Sequence, residues 1–166
     1  KAESLKAAGL DRLNISLDTL DSARYRELTG GGLIERVLEG IDAALAAGFR
    51  NTKLNMVVMP GFNEDEVEPM GVMCRDKGLD LQLIRRFSLT EPKDPEAAKG
   101  FHRPPPCGGC NRLRLLADGT LKPCLHADIE VPVDWDDIKG SILKAVSLKP
   151  EHGLACAQRQ MNQIGG

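Results

Sequence analysis

Aromatic side chains are scarce in this chain. One Trp, one Tyr and four Phe make up 4% of its 166 residues, too little stacking surface for a single-stranded nucleic-acid platform. No run of 18 or more apolar residues occurs, so no stretch reads as a membrane-spanning helix. Neither sign of charge dominates: charged residues are 28% and the net charge is −2, which removes any general basic attraction to nucleic acid. The opening Lys1-Ala2-Glu3-Ser4 lacks a signal-peptide pattern, and there is no internal repeat. These absences leave a soluble, cytoplasmic chain as the expectation, long enough for one core or for one core with a small appended module.

What is present alternates strand and helix. Residues 1–8 read as the end of a helix capped by Gly9. Residues 12–17 alternate, with Leu13, Ile15 and Leu17 on one face and Asn14, Ser16 and Asp18 on the other. Residues 21–28 predict a short helix, and 33–47 an amphipathic one stopped by Gly48. Residues 52–59 form a β-branched strand in which Lys53, Asn55 and Val57 share a face, ending at the Pro60-Gly61 turn. Asn63 and Glu66 stand at capping-box spacing before a helix to about Lys77, and residues 80–87 predict a third strand. This order argues for a parallel α/β sheet. Helices are available for only one layer, which suits a barrel fragment better than a doubly wound sheet.

After Thr90 proline and charge accumulate, and Pro104-Pro105-Pro106 leads stiffly into Cys107. Residues 113–117 and 121–123 predict a hairpin around a two-residue Asp118-Gly119 turn, and 136–148 a last helix. Five cysteines occur, at positions 74, 107, 110, 124 and 156. In a chain without secretory signals this usage favours metal binding or free thiols over a disulfide framework. Cys107 and Cys110 are two residues apart, and the hairpin returns Cys124 to the same end. Three soft sulfur donors suit zinc or an iron–sulfur cluster, and spacing alone does not separate the two. Zinc would need a fourth ligand, from His126, His102 or Cys156; unliganded buried thiols are the plain alternative. From Ala97 to Ala117 there is no acidic residue, while Lys99, Arg103, Arg112 and Arg114 are cationic. Arg112 and Arg114 alternate with Leu113, so two guanidinium groups share one face and match phosphate or carboxylate. They could equally balance thiolate charge.

The run Cys-x-x-Cys-Asn-Arg-Leu-Arg-Leu-x-Ala-Asp-Gly-x-Leu-x-Pro-Cys-Leu over residues 107–125 closely resembles the carboxy-terminal site of the MoaA family. Its members are radical S-adenosylmethionine GTP 3',8-cyclases of molybdenum cofactor biosynthesis. Residues 5–21 resemble the family's fourth barrel strand and its approach, residues 53–59 the fifth strand, and Gln163-Ile-Gly-Gly the double-glycine tail. The resemblance implies the carboxy-terminal part of an incomplete six-stranded (βα) barrel over residues 1–90. An auxiliary iron–sulfur domain with a β-hairpin would follow over 91–166. It implies that Cys107, Cys110 and Cys124 hold an auxiliary 4Fe-4S cluster whose unique iron faces the purine. Arg112, Leu113, Arg114 and Lys53 would contact GTP, Ser16 and Phe87 would line the S-adenosylmethionine site, and Gly165 and Gly166 would reach the active site. GTP, S-adenosylmethionine, a second 4Fe-4S cluster, an amino-terminal barrel half and a homodimeric copy are the implied cofactors and partners; nucleic acid and membrane are not.

Three departures qualify these expectations. No Cys-x-x-x-Cys-x-x-Cys triad is present, so the chain alone is not expected to cleave S-adenosylmethionine reductively; Cys74 reads as a core residue. The family's sixth strand reads Arg-Phe-Ile-Glu-x-Met, where this chain has Gln82-Leu-Ile-Arg85-Arg86-Phe87. The stretch from Phe87 to Cys107 is tens of residues shorter than in the family. The other readings are a related radical enzyme with a different substrate and a non-catalytic zinc-ribbon binding module. A sheet lacking its parallel neighbour exposes a hydrogen-bonding edge. The free 166-residue chain is therefore expected to associate or to be poorly stable. A monomeric sample in analytical ultracentrifugation that also unfolds cooperatively in calorimetry would contradict this.

Overall fold

The computed structural model describes residues 1–91, 96, 99–102 and 106–164. They fall into two compact units: Lys1–Arg86 with Gly100–Pro104, and Phe87–Lys99 with Pro105–Gly166. The first unit orders α1 (Ala2–Ala7), β1 (Asn14–Ser16), α2 (Ser22–Thr29), α3 (Ile34–Ala46), β2 (Lys53–Val58), α4 (Val67–Lys77) and β3 (Asp80–Arg85). The three strands make one parallel sheet in the order β1-β2-β3, with Asn14, Lys53 and Asp80 in register, followed two residues on by Ser16, Asn55 and Gln82. Among the described residues this sheet is open and three strands wide, not a closed barrel.

Burial along β2 alternates strictly. Leu54, Met56 and Val58 are buried, while Lys53, Asn55 and Val57 are half-buried. The buried set packs with Leu17, Ile34, Ile41, Met70, Cys74 and Leu79 into the core of this unit. Each such apolar side chain contributes roughly 1.5–3 kcal/mol by leaving water. Cys74 is a core residue, and burial pushes its thiol up. Because successive strand residues face opposite ways, the register puts Asn14, Ser16, Lys53, Asn55 and Gln82 together on the face turned away from that core.

Asn63 does not cap the helix after it. Its side chain is fully buried: Oδ1 accepts from the Met59 amide at 2.7 Å, and Nδ2 donates to the carbonyls of Asp18 at 2.6 Å and Val57 at 2.9 Å. One amide thus ties the turn after β2 to the chain leaving β1. No side-chain cap forms at this end, so the expected capping box is corrected. Glu66 instead reaches across, where its carboxylate accepts from Thr19 Oγ1 at 2.6 Å, the Leu20 amide at 2.5 Å and Arg24 Nη1 at 2.6 Å. Tertiary demand has taken both side chains from the local role their spacing offered.

The second unit carries an antiparallel sheet of β4 (Arg114–Leu115), β5 (Thr120–Lys122) and β6 (Val131–Pro132), with α5 (Ile138–Ser147) packed on it. Arg114 pairs with Lys122 and Leu115 with Leu121. The connection is a three-residue loop rather than the expected two-residue turn: the Leu116 amide donates to the Thr120 carbonyl, and the Gly119 amide to the Leu116 carbonyl. Gly119, at φ 79°, takes the left-handed position that such a loop requires. Leu121, Val131 and Ala145 form one small core, and Leu89, Leu116, Cys156 and Ile164 another.

Two outcomes test the clamp in the first unit. Asn63→Ala strands a buried amide and two buried carbonyls, and is expected to lose about 2–4 kcal/mol in denaturant titration; Asn63→Asp, which sets an oxygen against both carbonyls, is also destabilised. Burial pushes the Glu66 carboxyl up, but Thr19, Leu20 and Arg24 outweigh it and hold the group below the ordinary value of 4.5. Its stabilisation is therefore fully present above the unfolded value and is lost as pH falls through the lowered folded value. Stability measured below pH 4.5 should fall less steeply in Glu66→Gln than in the wild type.

Candidate functional site: a cysteine and arginine hairpin

A single 3-10 turn, Cys107–Gly109, sets the first two thiols: the Cys110 amide donates to the Cys107 carbonyl at 3.0 Å. The proline before it is extended, at φ −52° and ψ 145°, and cannot continue a helix. Cys110 is extended and feeds the chain towards β4, and β5 returns through buried Pro123 to Cys124. Cys107, Cys110 and Cys124 are half-buried, at loop ends rather than in a core. Among the described residues no group of three or more His, Cys, Asp or Glu side chains is drawn together to hold a metal ion.

The open end of the hairpin is tied by a residue that spacing does not reveal. Lys149 Nζ donates to the Arg112 carbonyl at 2.8 Å and to the Pro123 carbonyl at 2.7 Å, joining the two strands beside Cys124. Arg112, Leu113 and Arg114 are half-buried. The Leu113 side chain packs against Leu121, Val131 and Ala145. Gly153 is buried against the same end. A Cβ there would stand 2.8 Å from His126 Cβ and 3.4 Å from Cys124 Sγ, so glycine leaves room beside that sulfur.

Behind the hairpin, a charged network fastens residues 154–160. Lys122 is buried, donating to the Ala127 carbonyl at 2.6 Å and to Glu130 Oε1 at 3.3 Å. Arg159 forks onto Glu130 at 2.9 and 2.7 Å and reaches Asp118 Oδ2 at 2.6 Å. Hydrogen bonds from Arg159 hold the carboxyls of Glu130 and Asp118 below their ordinary values. Asp128 Oδ1 accepts from the Ala157 and Gln158 amides.

The remaining sequence-derived site residues fall as follows. Cys156 is fully buried, packed with Leu89, Leu116 and Ile164, and its amide bonds the Leu89 carbonyl, which suits a core residue better than a ligand. His102 lies in the first unit, where its Nδ1 accepts from the Leu83 amide. His126 is buried and stacks obliquely on Phe87, ring centres 5.2 Å apart. Ser16 and Lys53 share the polar face of the parallel sheet, Ser16 exposed and Lys53 half-buried. Lys53 lines a recess of about 220 Å³ with Arg12, Asn14, Asn51 and Gln82. Gly165 and Gly166 lie outside the described residues.

Comparison with known proteins gives this arrangement a family. A family model of the radical SAM superfamily matches residues 1–71. The GTP 3',8-cyclase of Alkaliphilus oremlandii is 34% identical over 217 aligned residues, covering 99% of this chain and 68% of that protein. The GTP 3',8-cyclase of Moorella thermoacetica is 37% identical, with 99% and 68% covered. That of Marinobacter nauticus is 34% identical, with the same shares. These alignments are longer than the 166 residues of this chain, so the relatives carry additional residues within the matched region. With a radical SAM match over residues 1–71 and cyclase relatives aligned over 99% of its length, the chain belongs to the GTP 3',8-cyclase family of radical SAM proteins.

Proposed function

We propose that this chain is the GTP-binding, cluster-bearing part of a GTP 3',8-cyclase. In this reading the longer enzyme of which the chain is a part is the lyase that converts GTP to 3',8-cyclo-7,8-dihydro-GTP in molybdenum cofactor biosynthesis, and this chain alone, without the radical SAM cysteine triad, is inactive. The observation that carries the reading is the hairpin that joins three thiols at its loop ends to Arg114 in β4 and to Arg112 in the segment leading into it. The donor set fits an iron–sulfur cluster: three soft sulfurs, half-buried, with Gly153 leaving room beside Cys124. Cys107, Cys110 and Cys124 would hold the auxiliary 4Fe-4S cluster, which supplies an iron with an open coordination position for the purine. Binding would gather sulfurs that the protein alone leaves apart, as ligation and local folding are coupled.

The rest of the work belongs to side chains and backbone. Arg112 and Arg114 would bind GTP with their guanidinium forks, Leu113 through its backbone, and Lys53 from the polar face of the parallel sheet. Ser16 and Phe87 would line the S-adenosylmethionine site, and Gly165 and Gly166 would form the catalytic end of the tail. Residues 1–90 would be a partial radical SAM barrel and 91–166 the auxiliary-cluster domain. The radical-generating 4Fe-4S cluster would require cysteines that this sequence does not contain. Catalysis in this part is positioning and electrostatic stabilisation. A zinc site is the second reading, favoured by one observation: His126 and Cys124 both border Gly153.

Metal content separates the two. Anaerobically purified protein is expected to contain iron and acid-labile sulfide, with iron lost in Cys107→Ala, Cys110→Ala and Cys124→Ala. One zinc per chain without iron would overturn the cluster. Arg112→Ala and Arg114→Ala are each expected to weaken GTP binding by about tenfold or more, the scale of one charge-assisted hydrogen bond; unchanged affinity in both would remove the arginines from the site.

A further inference from the structure

The segment that follows α5 packs on the Cys124 arm of the hairpin at three points. α5 ends at Ser147; the Lys149 amide still donates to the Val146 carbonyl at 3.1 Å, and Pro150, which has no N–H, cannot extend the helix. From this fixed base Lys149 Nζ holds the carbonyl of Pro123, directly before Cys124, together with that of Arg112, two residues beyond Cys110. Gly153 lies against Cys124 Sγ and His126, where a Cβ would stand 2.8 Å from His126 Cβ. The Leu154 amide donates to the His126 carbonyl at 2.8 Å, two residues past Cys124. Residues 149–154 thus grip Cys124 from both sides, and one ammonium joins the arms that carry Cys110 and Cys124.

That ammonium carries a charge which no carboxylate balances. Lys149 is half-buried and forms no ion pair among the described residues. Two of its three N–H groups are taken by carbonyl oxygens, which accept a proton without neutralising the cation. A positive charge therefore stands beside the backbone that presents two of the three thiols. A reduced iron–sulfur cluster carries one more negative charge than the oxidised one, so a fixed cation nearby favours the reduced form. Groups outside the ligand set tune a metal in this way, by fixing the ligands and the local charge.

We propose that Lys149 is a positioning residue for the cluster. It sets the spacing of the Cys110 and Cys124 arms, and its charge raises the cluster's reduction potential. The inference rests on the reading of Cys107, Cys110 and Cys124 as cluster ligands; the grip on Cys124 rests on the hydrogen bonds and close packing alone.

The test is a potentiometric titration of the anaerobically reconstituted full chain, followed by electron paramagnetic resonance. Lys149→Gln, Lys149→Arg and Lys144→Gln are compared with wild type, and iron content and denaturant midpoint are measured on the same samples. Lys144 is exposed on α5 and forms no ion pair among the described residues, so it controls for net charge. Lys149→Gln keeps an amide donor and loses the charge. Its cluster is expected to be reduced about tenfold less favourably, a potential about 59 mV lower for a one-electron couple. Lys149→Arg and Lys144→Gln are expected to keep the wild-type potential. A lysine that only braces the fold would lower the denaturant midpoint of Lys149→Gln and leave the potential unmoved. That result overturns the inference, as does an equal shift in Lys144→Gln. If Lys149→Gln holds too little iron to titrate, iron restored in Lys149→Arg supports the inference, and iron equally low in both overturns it. A wild-type chain without any cluster overturns the cluster reading and this inference with it. A cluster of the same potential in every variant overturns the inference alone.

Discussion

One buried amide holds the first unit in shape. The Asn63 side chain satisfies the Met59 amide and the carbonyls of Asp18 and Val57 at once, and no other orientation of its oxygen and nitrogen does so. Glu66 repeats the device one turn later, drawing Thr19, Leu20 and Arg24 onto one carboxylate. Together they fix where the chain leaves β1 and where it leaves β2. With those ends fixed, Leu54, Met56 and Val58 stay buried, and Ser16, Lys53, Asn55 and Gln82 keep to the opposite face. The polar face on which the proposed ligand contacts depend is a consequence of that clamp.

The second unit solves a related problem with charge. Its sheet has strands of two or three residues, too short to be stable alone. Lys122, Glu130, Arg159 and Asp118 join the hairpin, the strand beside it and residues 154–160. Lys149 closes the hairpin's open end next to Cys124. The cysteines are thereby left half-buried at loop ends on a braced frame rather than folded into the core.

Much of this was legible in the sequence, because local pattern and tertiary structure agree. The alternation of residues 53–58, the amphipathic period of α3 and the apolar setting of Cys74 all carried through. The cysteine spacing and its resemblance led to the family that the relatives show. What failed to show in sequence came from partners far along the chain. Asn63 and Glu66 read as a capping box until Asp18 and Thr19, more than forty residues away, claimed them. Strand β6 hid behind Pro132, which an edge position tolerates. Lys149 and Arg159 lie in no periodic pattern, and their roles depend on residues 26 to 41 positions distant. The recess around Arg12 and Asn51 arises only when two strand approaches are brought side by side.

In the proposed function the cysteine hairpin carries a cluster at which a guanine nucleotide binds. The most direct measurement is electron paramagnetic resonance of the anaerobically reconstituted, reduced chain, recorded with and without GTP. A 4Fe-4S signal whose shape changes on addition of GTP, and which is lost when Cys107, Cys110 and Cys124 are replaced by alanine, is the predicted result. A protein that takes up no iron–sulfur cluster, or one whose cluster signal is indifferent to GTP, would contradict it.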